Sequence, residues 1–166
     1  KAPTKPPVGA RGDEAKKDNQ KALKEHVKVI SELQALLYAA DRHSVLLVFQ
    51  AMDAAGKDGT IRAVLSGVNP AGCQVQSFKS PSSRELDHDF LWRISQSLPE
   101  RGRIGVFNRS HYEDVLVPVV NGWITPEQHQ QRLAHINDFE RMLSETGTIV
   151  LKFLLHIGKD EQRERL

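Results

Sequence analysis

The chain has almost no cysteine. Cys73 stands alone among 166 residues, which excludes an internal disulfide and a cysteine-built zinc cage. A reducing cytoplasm is the compartment such a composition predicts. Charge of one sign is also lacking: 23 cationic against 21 anionic side chains leave a formal net charge of +2. The surface as a whole is therefore no nucleic-acid magnet, and any affinity for a polyanion has to come from a local site. Long hydrophobic runs are missing too. The longest, around Val45–Phe49 and Phe153–Leu155, are strand-sized and far below the ~20 residues a spanning helix needs, so no membrane partner is expected. The opening residues are polar and carry prolines, unlike a secretory signal, and Lys1 in place of methionine predicts a processed or trimmed start.

What is present is an alternation of periodic patterns. Residues 1–12 hold prolines, glycines and cations, and read as an extended arm outside a core domain over residues 13–166. From Asp13 to about Ala40 the spacing predicts a helix, with Leu23, Val27, Ile30, Leu33 and Leu37 on one face. Ser44–Gln50 reads as a strand buried on both sides, because Val45–Phe49 is apolar throughout. A helix over Lys57–Leu65 follows, then turn chemistry at Gly67–Gly72 and a strand from Cys73 to Phe78. A helix capped by Ser82 or Ser83 is expected to run to about Leu98, burying Leu86, Phe90, Ile94 and Leu98 on one face. Ile104–Phe107 is a third strand, Pro126–Leu143 a helix, Thr148–Ile157 a fourth strand, and a helix starts at Lys159. This order predicts an α/β fold in three layers, αβα, around a mainly parallel sheet. Ligands then belong at the carboxyl ends of the strands.

The two stretches richest in chemistry follow the first and third strands. Ala51-Met52-Asp53-Ala54-Ala55-Gly56-Lys57-Asp58 aligns with the phosphate-binding loop G-x-x-x-x-G-K-[ST], with Ala51 for the first glycine and Asp58 for the hydroxyl residue. Ala54, Ala55 and Gly56 let backbone amides approach a phosphate, the helix running on through Gly59 and Thr60 offers its positive end, and Lys57 adds a point charge. The alternative is an ordinary strand-to-helix turn with a surface lysine. Asp53 would repel phosphate unless a cation lay between them, which makes it the candidate ligand of Mg²⁺; otherwise it is a turn aspartate bonding its own backbone. Ile104–Ser110 resembles a Walker B strand in which Asn108 replaces aspartate, with Glu113 and Asp114 one turn on. Arg109 is placed to stabilise a transferring phosphoryl group, unless it simply pairs with Glu113 along a short helix. Lys79 and Arg93 are candidates to line an anionic channel, although Arg93 reads equally well as an ion-paired arginine. His111 and Tyr112 either stack on a base or pack inside.

Together, Gln50–Ile61, Ser77–Pro81, Asp89–Arg93, Phe107–Val115, Leu151–Ile157 and Lys159–Arg163 resemble the family-2 polyphosphate kinases over roughly residues 14–166. The resemblance implies a thymidylate-kinase-like P-loop fold. It implies Mg²⁺- or Mn²⁺-dependent phosphoryl transfer between inorganic polyphosphate and a nucleotide, with the subgroup acting on AMP and ADP as the nearest in motif and guanine nucleotides as further substrates. On that resemblance the loop from Ala54 to Thr60, with Lys79 and Arg93, holds polyphosphate, and Asp53 organises the metal. Lys57 and Arg109 assist transfer, and Asn108, Ser110, Glu113 and Asp114 serve the nucleotide. It also implies a homo-oligomer, dimer or tetramer, with the long first helix as a partner surface, and a lid that begins near Arg163 and Arg165. An ATP-dependent kinase of a small metabolite and a non-catalytic phosphate-binding module are the rival expectations.

Overall fold

The computed structural model describes residues 13–166, so the arm expected over residues 1–12 lies outside the described residues. Helix α1 spans Asp13–Ala40 and leads into strand β1, Ser44–Ala51. Helix α2 (Lys57–Leu65) and a 3₁₀ turn at Pro70–Gly72 precede strand β2 (Cys73–Ser77). Two short helices, α3 (Ser83–Leu86) and α4 (Trp92–Ser95), lead to strand β3 (Ile104–Asn108). Helices α5 (Glu113–Val120) and α6 (Pro126–Glu145), strand β4 (Thr148–Leu155) and helix α7 (Lys159–Arg165) complete the chain. Among the described residues no helix is long and apolar enough to cross a membrane.

The strands form one sheet in the order β2-β3-β1-β4, and every pairing is parallel. The Val45–Phe49 stretch of β1 is apolar throughout because helices cover both faces of the strand. On one side Leu46 and Val48 meet Phe107 and the α6 residues Phe139 and Leu143. On the other, Phe49 and Val106 meet Ile61 of α2, with Leu37 of α1 packed beside them. Helices on both faces give the three layers expected. Register then sets the position of the site: Asn108 lies level with Phe49 on one side and with Ser77 on the other. The loops leaving β1, β2 and β3 therefore open at the same edge of the sheet.

Two local expectations are corrected. The helix predicted from Ser82 to Leu98 is two single turns. The capping box of Ser82 and Glu85 starts α3, but Asp89 then folds back: its Oδ1 accepts the Leu91 amide at 3.0 Å, and its carbonyl accepts the Trp92 amide. That aspartate turn ends one helix and starts another, and Leu86 is left 70% exposed rather than buried. On α1, Leu33 is 59% exposed, while Val27 and Gln34 are buried. The packed row runs through Val27, Ile30, Gln34 and Leu37, because Gly67 and Gly72 leave room for Val27 and the Gln34 amide, where any Cβ would collide. Finally, α5 forms around Pro118, which has no amide to donate to the Asp114 carbonyl. Arg132 of α6 reaches over and donates to that carbonyl at 2.6 Å, so the proline is tolerated.

Candidate active site

The loop between β1 and α2 turns back through two left-handed residues, Ala54 (φ 61°) and Gly56 (φ 82°). Gly56 adopts this at no steric cost, and Ala54 holds it under strain of the kind stored at binding sites. No side chain caps α2. Among the described residues the amides of Lys57, Asp58 and Gly59 donate to no protein acceptor; the first closed bond is Thr60 to the Gly56 carbonyl at 2.9 Å. Free amides at a helix start are an anion seat. Lys57 Nζ donates to Asn108 Oδ1, and Asn108 Nδ2 donates to Asp58 Oδ1 at 2.5 Å. Asn108 therefore holds the lysine and the aspartate of the loop in place.

Arg109 follows Asn108, also left-handed (φ 64°), with its amide bonded to the Phe49 carbonyl at 3.0 Å. Its guanidinium is half exposed and lies 3.9 Å from Asp53 and 3.9 Å from Glu113. The ion pair with Glu113 and the approach to the phosphate loop are both present, but Arg109 lies ahead of α5 and the pair is not made along a helix. Two cavities meet at this arginine. The smaller, about 330 Å³, is polar and walled by residues 51–59, Arg109 and Arg165. Helix α7 leans on it: Gln162 donates to the Asp53 carbonyl at 3.1 Å and Arg165 to that of Ala54 at 3.4 Å. The larger, about 760 Å³, is walled by Phe78, Phe90, Val117, Trp123 and Ile124, with Lys79 among its polar residues. Its lining is mostly apolar.

Glu113 and Asp114 border the larger cavity. Arg93 does too, but its charge is already satisfied: it donates to Asp114 Oδ2 at 2.9 Å and to the Lys79 carbonyl at 2.9 Å, and is almost buried. The structure favours the ion-paired reading of this arginine over a free anion contact. Ser110 is fully buried, accepts the Tyr112 amide at 3.2 Å and borders neither cavity. Asn108 borders neither cavity as well. Both make their contacts within the protein, Asn108 with Lys57 and Asp58 and Ser110 with the Tyr112 amide.

Behind Arg109, sequence reasoning missed an ionic cluster. Glu140 of α6 accepts Tyr112 OH at 2.9 Å, His111 Nε2 at 3.2 Å and Lys152 Nζ at 2.6 Å. Burial pushes the Glu140 carboxyl up, but the three donors outweigh it and bring it down to about 2. Burial pulls Lys152 down, and its bonds to Glu140 and Tyr112 more than reverse that. Burial also pushes the Tyr112 hydroxyl up. The cluster pins the turn Ser110–Tyr112 to α6 and β4. One signal was available: Glu140 falls in the row Ile136, Glu140, Leu143, on the apolar face of its helix.

The family model described as Polyphosphate kinase 2 (PPK2) matches residues 13–166. An ADP-polyphosphate phosphotransferase of Rhodopseudomonas palustris is 53% identical over 92% of this chain. An AMP/ADP-polyphosphate phosphotransferase of Meiothermus ruber is 56% identical over 82% of it. The crystal structure of Polyphosphate Kinase 2 from Arthrobacter aurescens TC1 superposes with a TM-score of 0.89 at 41% identity, over 99% of this chain and 59% of that one. The chain spans only about half the length of the curated relatives it matches, 57% and 51%. A family model that takes in every described residue, together with relatives more than half identical, places the chain in the polyphosphate kinase 2 family.

Proposed function

We propose that this chain carries the phosphoryl-transfer centre of a polyphosphate-dependent nucleotide kinase, acting between inorganic polyphosphate and AMP or ADP. The observation that carries the reading is the pair of unlike cavities joined at Arg109. Polyphosphate has no apolar part, and the polar cavity offers it free amides, Lys57 and the two arginines Arg109 and Arg165. A nucleotide has an apolar base, and the larger cavity offers Phe78, Phe90 and Trp123 for stacking and contact. The names of the relatives include both kinds of substrate, polyphosphate and an adenine nucleotide.

The terminal phosphate of the nucleotide then faces the end of the polyphosphate chain across Arg109. A nucleotide oxygen attacks the terminal phosphorus, the bond to the next bridging oxygen breaks, and the shortened chain leaves with the electron pair. Arg109 and Lys57 stabilise the charge shared by the transferring group. Lys79, exposed at the rim of the larger cavity, steers the anionic substrates.

Mg²⁺ fits the residues present. The Asp53 carboxylate is exposed in the polar cavity and pairs with Arg109, and among the described residues no group of three or more metal-type ligands is assembled. A cation that keeps most of its waters and binds through one carboxylate and substrate phosphates suits that donor set, and Mn²⁺ has the same hard-oxygen preference. When bound it neutralises phosphate charge between the two substrates. Asp53→Asn removes the anchoring charge, so the Mg²⁺ concentration giving half-maximal rate rises; an unchanged Mg²⁺ titration removes Asp53 from the metal site. The reading itself is tested by incubating the protein with polyphosphate and ADP or AMP without ATP. Phosphorylated product supports it, and binding of polyphosphate with no turnover would leave only a phosphate-binding module.

A further inference from the structure

The larger cavity is lined by Lys79 and by three arginines, Arg93, Arg109 and Arg132. Arg93 is committed to Asp114, Arg109 stands between Asp53 and Glu113, and Lys79 is exposed at the rim. Arg132 fits none of these cases. It is half-buried, and among the described residues no carboxylate pairs with it. It is nevertheless held on two sides. One guanidinium nitrogen donates to the Asp114 carbonyl at 2.6 Å. That acceptor is open because Pro118, one turn on, has no amide to give it. The guanidinium carbon stands 5.3 Å from the centre of the Phe90 ring, and Phe90 stacks at 6.5 Å on His135, the next turn of α6. A guanidinium carries five N–H donors, so most of those on Arg132 stay open. A neutral donor would satisfy the Asp114 carbonyl as well. A charge without a partner costs free energy in a mostly apolar wall, and a bound molecule that contacts it recovers that cost.

We propose that Arg132 is a contact for the base of the nucleotide, with the plane of its guanidinium laid against the face of the ring, an inference that rests on the larger cavity being the nucleotide site. Position separates the base from the phosphates. Carbonyls of an α-helix point toward its C-terminal end. A group bonded to the Asp114 carbonyl therefore lies toward Val117 and Pro118, which line the same cavity. Arg109 and Glu113 stand at the opposite end of that turn, where the two cavities meet. Arg132 lines only the larger cavity. Phosphates gathered at Arg109 thus leave the far part of the nucleotide, its base, beside Arg132 and Phe90. A planar guanidinium stacks on aromatic rings and gains a cation–π attraction there, which a flexible ammonium does not match. Its hold on the Asp114 carbonyl fixes that plane before the base arrives, so little side-chain freedom is lost on binding.

Calorimetric titration with AMP, and with ribose 5-phosphate, which keeps the sugar phosphate and lacks the base, tests the contact. Arg132→Gln is expected to weaken AMP binding by about three- to thirtyfold, the range of a cation–π contact from exposed to desolvated. Binding of ribose 5-phosphate is expected to stay as in the wild type. Arg132→Lys keeps a cationic donor for the Asp114 carbonyl and loses the plane. It should hold the wild-type melting temperature and still lose about threefold or more in AMP affinity. Wild-type AMP affinity in either variant overturns the proposal. So does an equal loss for AMP and ribose 5-phosphate, which would make Arg132 a phosphate contact or a prop of the fold. A wild-type chain that binds neither compound removes the nucleotide reading of the cavity together with this one. A chain that binds AMP, with variants that bind it equally well, removes this one alone.

Discussion

At the scale of single residues, the site depends on charges that are held but not used up. Lys57 is positioned by one neutral amide oxygen, that of Asn108, so its full charge remains available to an anion. Lys57→Ala is expected to lower the rate of transfer by about 10²-fold or more, with an unchanged melting temperature, because the ammonium reaches into the open polar cavity and not into the core. Wild-type rates in that variant would remove the loop from the mechanism. Arg93 is the opposite case. Its guanidinium is committed to Asp114 and to the Lys79 carbonyl, and both ends of the pair are largely buried. Arg93→Ala strands the Asp114 carboxylate, at a cost of about 3–5 kcal/mol, a drop in melting temperature on the order of 10 °C for a chain of this size. Thermal unfolding checks this. Were Arg93 instead a loose anion contact, the variant would lose polyphosphate affinity and keep its melting temperature.

At the scale of elements, the turn between β3 and α5 is positioned from behind by α6 and β4. Glu140 gathers His111, Tyr112 and Lys152 under that turn, so the direction of Arg109 depends on a buried carboxylate that lines neither cavity. The Glu140 carboxyl sits at about 2, against an ordinary 4.5. The folded state thus prefers it ionised, and the stabilisation is present above about pH 5 and lost as pH falls through about 2. The gap corresponds to up to about 3 kcal/mol. Glu140→Gln should therefore cost most near neutrality, and its urea midpoint should converge on that of the wild type as the pH approaches 2; a penalty constant from pH 7 to 3 would refute the assignment. The sequence showed why strands and helices alternate, since Val45–Phe49 and the glycine-lysine turn announce themselves by period and position. It did not show this cluster, because a lone glutamate in an apolar row has a meaning only once His111, Tyr112 and Lys152, distant in sequence, are brought beneath it. The break between α3 and α4 escaped for a related reason: an apolar spacing of four continues through Asp89, while the hydrogen bond that ends the helix depends on one rotamer.

At the scale of the whole molecule, the parallel sheet places its loops at one edge, and the family's chemistry is read from what stands there and what does not. The polar and apolar cavities touch at Arg109, which cannot act as a nucleophile. Ser110 and His111, which follow Arg109 in the chain, are both fully buried, while Asp53, Asp58, Ser80, His88 and Glu113 line the cavities themselves. His111 Nε2 is further bound to Glu140, and a phosphorylated ring would have to be accommodated in a packed core. The only cysteine, Cys73, lies at the other end of its strand, level with Ile104, where burial pushes its thiol up and away from reactivity. Because the two cavities meet at Arg109 and can be filled together, transfer is expected to be direct, with both substrates bound at once. Initial rates measured against ADP at several fixed polyphosphate concentrations should give double-reciprocal lines that intersect. Parallel lines, or a chain that gains 80 Da per phosphoryl group after exposure to polyphosphate alone (an ~80 Da increment by elementary chemistry), would mean that a side chain at the cavities carries the phosphoryl group between the substrates.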